Sequence, residues 1–143
     1  MLSVNQADQW IPAFNQDLEF KKRGVTKDII SVIIWANDLA DQYTKDWAGK
    51  IQLENKKDLY ALWFFVRKNI KYVADQNGRE IIKSPAALWH LRKTAGGDCK
   101  SFSLFFKSVC SNKGLRGGYR FVAWNQGEDI THVYPFVFLG KQR

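Results

Sequence analysis

The sequence predicts a single α+β domain in which N-terminal helices precede a cysteine-bearing helix packed on an antiparallel sheet. Two stretches in the first half of the chain have apolar residues at helical spacing. A third amphipathic stretch, 98–114, precedes two segments that are typical of paired strands. The 143 residues suit one domain, 1–143, which we divide into a helical N-terminal portion, 1–50, and a core, 55–143.

Two long helices are predicted in the first half of the chain. Thr26 is placed to cap the first, which starts near Lys27, runs to Trp47 and is followed by Gly49. The second spans about 55–70. We expect both helices to be packing elements, because no polar constellation on them suggests chemistry. The apolar stripe of the second helix consists of Leu59, Leu62, Trp63, Val66 and Ile70.

The cysteine-bearing helix is the central element of the predicted core. A short helix over 85–93 is expected to stop at Gly96 and Gly97, immediately before it. Asp98 is placed to cap the cysteine-bearing helix and Gly114 to end it. Apolar residues at i, i+3, i+4, i+7 and i+8 predict one buried face. These residues are Phe102, Phe105, Phe106, Val109 and Cys110.

Two antiparallel strands are predicted to follow. The segments YRFVAW (119–124) and ITHVYPFVF (130–138) flank the polar turn 125–129. Because side chains alternate along a strand, His132 shares one face with large apolar residues. We therefore expect the imidazole to face packed protein rather than open water. The apolar residues of that face are Ile130, Tyr134, Phe136 and Phe138.

Cys99 and His132 are the candidate catalytic residues. Cys99 falls in the first turn of its helix, where backbone N–H groups and the helix dipole stabilise a thiolate, so we expect a lowered thiol pKa. His132 lies on a strand against which that helix is expected to pack. Such a pair is the minimum for an activated thiol nucleophile, and N–H groups at the helix start would hold an oxyanion. The alternatives are a structural cysteine, as we expect for Cys110, and a buried histidine that serves only packing.

From about Asn69 to Phe138 the sequence resembles the transglutaminase-like superfamily of cysteine enzymes, in its short bacterial and phage form. The matching segments are IKYVADQNGREIIKSPAALW, GGDCKSFSLFFKSVCSNKGL, YRFVAW and THVYPFVF. The resemblance implies a transglutaminase-like or papain-like fold with Cys99 as nucleophile and His132 as base. It implies an acyl enzyme that acts on amide or peptide bonds of a protein or peptide substrate through a Cys99 thioester, with hydrolysis favoured over crosslinking.

Two aromatic residues lie in the approach to the nucleophile that the resemblance implies. Tyr72 and Trp89 are candidates to line the acyl cleft or to donate a hydrogen bond to the oxyanion. Core packing is the alternative for each of them. As a helix cap, Asp98 is expected to be structural, because a carboxylate beside a thiol raises the thiol pKa.

The third member of the family's Cys-His-Asp triad has no counterpart at the expected place. In the family an aspartate lies on the strand after the histidine, whereas the eleven residues after His132 include no acidic residue. Three explanations compete: the chain lacks C-terminal strands of a longer protein, Asp75 or another side chain substitutes, or strong catalysis has been lost. The last explanation leads to an alternative function, a non-catalytic binding or structural protein, such as one associated with a phage virion.

Composition bears on partners and location. The formal net charge is +8, but the basic residues are scattered, and we rank nucleic-acid binding last. The longest apolar runs, 29–36 and 59–66, have eight residues each, against ~20 for a membrane span. With no secretory signal visible, we expect a cytoplasmic protein, with virion association as the alternative. Cys99, Cys110, His90 and His132 show no zinc-site spacing, so no metal is expected. The resemblance implies neither a metal nor an organic cofactor.

Overall fold

A computed structural model of the chain describes residues 2–13, 29–74, 82–123 and 132–140. Within these residues, five helices and a two-stranded antiparallel sheet form an α+β fold, which is the predicted class. No helix of the described part combines the length and the apolar character that crossing a bilayer demands. The predicted cap Thr26, the candidate acid Asp75 and the predicted turn 125–129 lie outside the described residues.

The described helices are α1 (Val4–Trp10), α2 (Ile29–Ala48), α3 (Lys56–Asn69), α4 (Pro85–His90) and α5 (Cys99–Asn112). The end of α2 and the bounds of α3 and α5 agree closely with the prediction from apolar periodicity, whereas the predicted start of α2 near Lys27 lies outside the described residues. α1 was not predicted, because the segment that forms it has a mixed composition without a clear apolar stripe.

α4 is shorter than the predicted helix over 85–93 and ends at His90. Its start follows the prediction, with the hydroxyl of Ser84 accepting a hydrogen bond from a backbone N–H in the first turn. Beyond α4, the Arg92 carbonyl accepts a hydrogen bond of 2.8 Å from the Lys71 N–H. This pairing with the segment after α3 takes the chain out of helical geometry, which periodicity alone does not reveal.

The core lies between α2, α4 and α5 and is rich in aromatic rings. Trp47 stacks on Trp89 with ring centroids 6.4 Å apart and tilts against Phe105 at 5.9 Å. Trp89 also stacks on Phe65 of α3 at 5.6 Å. Ring pairs of this kind add about 0.5 to 1.5 kcal/mol to the stabilisation from burial. The cluster holds the helices together and thereby sets the position of α5.

The sheet consists of β1 (Gly117–Val122) and β2 (His132–Val137), which pair antiparallel. β1 begins two residues before its predicted start. In the register of the pair, His132 lies opposite Val122, at the end of the ladder. β2 packs on α5, so its first residues reach the N-terminal half of that helix.

The face of β2 that is buried differs from the prediction. Val133 is 1% exposed, whereas Tyr134, which was predicted to share the buried face of His132, is 37% exposed. His132 itself is half-buried. The prediction that the face of His132 is the packed one is therefore wrong. Large apolar residues occupy both faces of this strand, so the alternation of polarity does not identify the side that packs on α5.

Two glycines before α5 join it to the segment after α3. The Gly97 N–H donates to the Lys71 carbonyl at 3.1 Å, and the Val73 N–H donates to the Gly97 carbonyl at 2.8 Å, so that Tyr72 pairs with Gly97. Gly96 has a φ of +56°, and a Cβ there would lie 2.1 Å from the Lys71 carbonyl oxygen. Only glycine permits this close approach, which brings Tyr72 beside the start of α5.

Gly96→Ala is expected to lower the free energy of unfolding by about 2 to 4 kcal/mol, because it adds a steric clash to the left-handed strain. Gly114→Ala is the matched control, since Gly114 also has a positive φ but has nothing within 4 Å of its Cβ position. That control should cost only about 1 to 2 kcal/mol. Urea unfolding measures both values. Equal losses in the two variants would contradict the role given to the contact between Gly96 and Lys71.

Candidate active site

A small cavity lies where α3, α5 and β2 meet, close to the N-terminus of α5. Its volume is about 80 Å³. Both candidate catalytic residues line it, so the fold brings together two side chains that are far apart in the sequence. The lining residues are Trp63, Arg67, Tyr72, Cys99, Phe102, Ser103, His132, Val133 and Tyr134.

Asp98 sets the start of α5 and with it the position of Cys99. Its carboxylate accepts a hydrogen bond of 3.1 Å from the Lys100 N–H, as the sequence predicts for an N-cap. The Lys100 ammonium also pairs with this carboxylate, and both side chains are buried. The ion pair partly neutralises the negative charge that Asp98 places near the thiol.

The sulfur of Cys99 lies between the start of α5 and the beginning of β2. It receives hydrogen bonds from the backbone N–H groups of Lys100 and Val133. One turn along α5, the Ser103 hydroxyl donates to the Val133 carbonyl at 3.3 Å. Val133 therefore contacts α5 through both its N–H and its carbonyl. The two contacts lie on one face of the helix, because Cys99 and Ser103 are four residues apart.

Burial raises the pKa of the Cys99 thiol above its ordinary value, and the nearby Asp98 carboxylate adds to this effect. The Val133 N–H, the Lys100 charge and the Lys100 N–H act in the opposite direction, with a smaller net effect. The expectation of a lowered thiol pKa is thus wrong. The helix start provides N–H donors as predicted, but the apolar surroundings of the sulfur penalise the thiolate more than those donors stabilise it.

Tyr72 contributes a hydroxyl beside Cys99. Its oxygen accepts a hydrogen bond from the Cys99 N–H, and its ring lies 5.8 Å from the ring of Phe102. Burial, together with the nearby thiol and the Asp98 carboxylate, raises the pKa of the Tyr72 phenol. The phenol therefore keeps its proton at neutral pH and is available as a hydrogen-bond donor.

His132 is the first residue of β2 and lines the same cavity as Cys99. Its ring lies 6.2 Å from the ring of Tyr134. Because Val133 turns inward to the core, its neighbours His132 and Tyr134 project from the other side of the strand. The imidazole is half-buried, which leaves it accessible to a proton from the cavity.

Trp89 does not line this cavity. It is 0% exposed, it stacks in the core, and its indole N–H donates to the Asp8 carboxylate at 2.9 Å. The placement of Trp89 in an acyl cleft or oxyanion site is therefore wrong, and its alternative role in packing is the one observed. The sequence signal was misleading because α4 turns Trp89 into the aromatic core, where its ring lies 6.4 Å from both Trp47 of α2 and Phe105 of α5.

The α3 residues at the cavity were missed by the sequence analysis. Trp63 and Arg67 line it, although α3 was expected to serve packing alone. Their spacing shows that they share one face of α3, since residues four apart on a helix lie on one face, but not that this face borders the cavity. Arg67 Cζ lies 5.8 Å from the centroid of the Trp63 ring, so its positive charge is held against an aromatic surface.

Within the part of the chain that the structure describes, the cavity has neither an acidic lining residue nor a set of metal ligands. No described residue that lines it is an aspartate or a glutamate. Across 2–13, 29–74, 82–123 and 132–140, no three residues among His, Cys, Asp and Glu come close enough to hold a metal ion. The reactive groups of the cavity are therefore the Cys99 thiol, the His132 imidazole, the phenols of Tyr72 and Tyr134 and the Arg67 guanidinium.

No family model, curated protein or solved structure matches this chain. The resemblance to the transglutaminase-like superfamily accordingly stays a prediction from the motifs around Cys99 and His132. What the chain does has to be inferred from the cavity and those motifs.

The rate of Cys99 alkylation by iodoacetamide is expected to rise continuously between about pH 7 and about pH 10, because the thiolate is the reacting form and burial raises the thiol pKa. Cys110 is an internal control: it is 0% exposed, burial raises its pKa to about 12, and it should stay unlabelled. Peptide mass mapping distinguishes the two sites. A Cys99 rate that is already maximal at about pH 6 would show that the thiolate is preformed, contrary to this account.

Proposed function

We propose that the protein is a thiol-dependent acyl enzyme that acts on amide or peptide bonds through a thioester on Cys99. The observation that carries this proposal is that the Cys99 thiol and the His132 imidazole line one cavity of about 80 Å³ at the start of a helix. The resemblance to transglutaminase-like cysteine enzymes supports the same pair. The substrate is a protein or peptide.

The first step is attack by the Cys99 sulfur on the carbonyl carbon of the substrate. Because the thiol pKa is raised, the group is largely protonated at neutral pH, so a base has to remove the proton as the S–C bond forms. The His132 imidazole takes this proton. It then donates the proton to the amine as the C–N bond breaks, which leaves the acyl group on sulfur as a thioester.

The oxygen of the attacked carbonyl becomes negatively charged in this step. The Cys99 N–H and the Tyr72 O–H are the two groups proposed to stabilise it, since both lie beside the sulfur. In the free protein these two groups are bonded to each other. The substrate oxygen would replace the phenol oxygen as acceptor of the Cys99 N–H, and the phenol would rotate its proton toward the substrate.

Hydrolysis completes the cycle. Water attacks the thioester carbon while His132 removes its proton, and the carboxylic acid leaves as the thiol is restored. We favour water over an amine as acceptor because the resemblance to short bacterial members of the transglutaminase-like superfamily implies hydrolysis. An amine acceptor would instead give a crosslink.

Both cysteines are free thiols, which supports a reducing, cytoplasmic compartment.

A non-catalytic binding or structural protein, such as a virion component, is the second candidate. Two observations favour it: the raised pKa of Cys99, and the lack of an acidic side chain among the described residues that line the cavity. In the serine-protease template, losing the acid that orients the histidine costs about 10⁴ in turnover. The variants below distinguish this candidate from the enzyme.

His132→Gln is expected to lower the hydrolysis of p-nitrophenyl acetate by about 10² to 10⁴, because it removes the base. Cys99→Ala should abolish the reaction. His90→Gln is the matched control, since the His90 imidazole bonds to the Ile11 carbonyl at 3.1 Å and lies outside the cavity. Circular dichroism verifies the fold of each variant. Equal rates for wild type, Cys99→Ala and His132→Gln would favour the non-catalytic candidate.

Tyr72→Phe is expected to lower kcat for the same ester by about 10², with KM little changed, because the lost donor acts on the oxyanion rather than on the bound substrate. The fold should persist, since Tyr72 is 53% exposed. Tyr119→Phe provides the control: its hydroxyl donates to Asn37 at 2.7 Å, away from the cavity. An unchanged kcat in Tyr72→Phe would exclude Tyr72 from the oxyanion site.

A further inference from the structure

A second, larger groove adjoins the cavity that contains Cys99. Its volume is about 410 Å³, and it runs between α3 and β2. Trp63 and Tyr134 line both the groove and the cavity, so the two spaces share a wall. A peptide that lies in the groove and extends past Trp63 and Tyr134 would enter the cavity that contains Cys99.

The floor of the groove is aromatic. Trp63 and Phe106 meet at right angles with ring centroids 5.4 Å apart. Tyr60 is 54% exposed and Tyr134 is 37% exposed, so much of this aromatic surface is open to solvent. Phe136 of β2 also lines the groove. Such a surface gains free energy when an apolar side chain covers it, at about 25 cal/mol per Å² of apolar area removed from water.

Three cationic side chains do not line the groove themselves but lie against aromatic rings that do, and we call them the cationic rim. Lys56 Nζ lies 5.6 Å from the centroid of the Tyr60 ring, and Arg67 Cζ lies 5.8 Å from that of Trp63. On β1, Arg120 Cζ lies 5.3 Å from the centroid of the Phe136 ring, which belongs to the groove. Each cation thus lies near an aromatic ring of the floor. None of the described residues that line the groove is acidic.

We infer that this groove binds the peptide segment next to the bond that Cys99 attacks, and that it selects an aromatic or large aliphatic side chain flanked by acidic residues. The inference rests on the proposed acyl-enzyme function. The apolar floor favours the large side chain, and the cationic rim favours carboxylates beside it. A volume of about 410 Å³ is within the usual range of ligand sites, about 300 to 1,000 Å³.

Binding is measured separately from turnover, with the Cys99→Ala protein and three blocked tetrapeptides. Their sequences are Glu-Phe-Gly-Glu, Glu-Ala-Gly-Glu and Lys-Phe-Gly-Lys, and calorimetry gives each Kd. The first peptide is expected to bind about tenfold more tightly than the second, because only its phenyl ring covers the floor. It should also bind more tightly than the third, and this preference should shrink as salt is added.

Substitutions on α3 test whether the peptides bind in the groove. This helix also offers matched controls, because some of its exposed residues do not line the groove. Tyr60→Ser should weaken binding of Glu-Phe-Gly-Glu about fivefold, whereas Phe64→Ser should not, since Phe64 is 68% exposed on the same helix but does not line the groove. Arg67→Gln should weaken binding about threefold, whereas Lys68→Gln, at the next position, should not.

The outcomes separate this inference from the function on which it rests. Selective binding that is lost in Tyr60→Ser supports the groove even where wild-type protein shows no turnover. Turnover without a preference between the phenylalanine and alanine peptides overturns the groove and leaves the acyl enzyme intact. Binding to phosphatidylglycerol vesicles that Tyr60→Ser abolishes, with no peptide binding, overturns the peptide assignment in favour of an anionic lipid.

Discussion

The contact between the first residues of β2 and the N-terminal half of α5 is the constraint on which the site depends. Val133 is held from two sides: its N–H bonds to the Cys99 sulfur, and its carbonyl accepts a hydrogen bond from Ser103. Val133 is buried against α5, and its neighbour His132 lines the cavity that contains the thiol. A shift of β2 by one residue would reverse its faces and separate the pair.

The same contact explains why the thiol is not preformed as a thiolate. β2 covers the helix start, so the sulfur gains a hydrogen bond but loses water, and the loss of water has the larger effect on its pKa. The buried pair of Asp98 and Lys100 adds charges of both signs close by. In the proposed mechanism a protonated thiol needs a base at the moment of attack, so the role proposed for His132 is proton transfer rather than that of a permanent counter-ion.

Local signals predicted the elements but not the way they meet. Apolar periodicity gave α2, α3 and α5, and Asp98 was identified as a cap, because these features depend on residues near in sequence. The buried face of β2 was predicted wrongly, since large apolar residues occur on both of its faces. The core position of Trp89 and the presence of Arg67 at the cavity depend on packing between distant segments, which a single sequence does not display.

Trapping the acyl enzyme tests the central claim most directly. Protein mixed with p-nitrophenyl acetate is quenched in acid within seconds, digested and mapped by mass spectrometry. We expect an acetyl group on Cys99 that hydroxylamine removes and that the His132→Gln protein accumulates far more slowly. Acetyl groups confined to lysine side chains, with Cys99 unmodified at every time, would contradict a thioester intermediate and with it the assignment of Cys99 as the nucleophile.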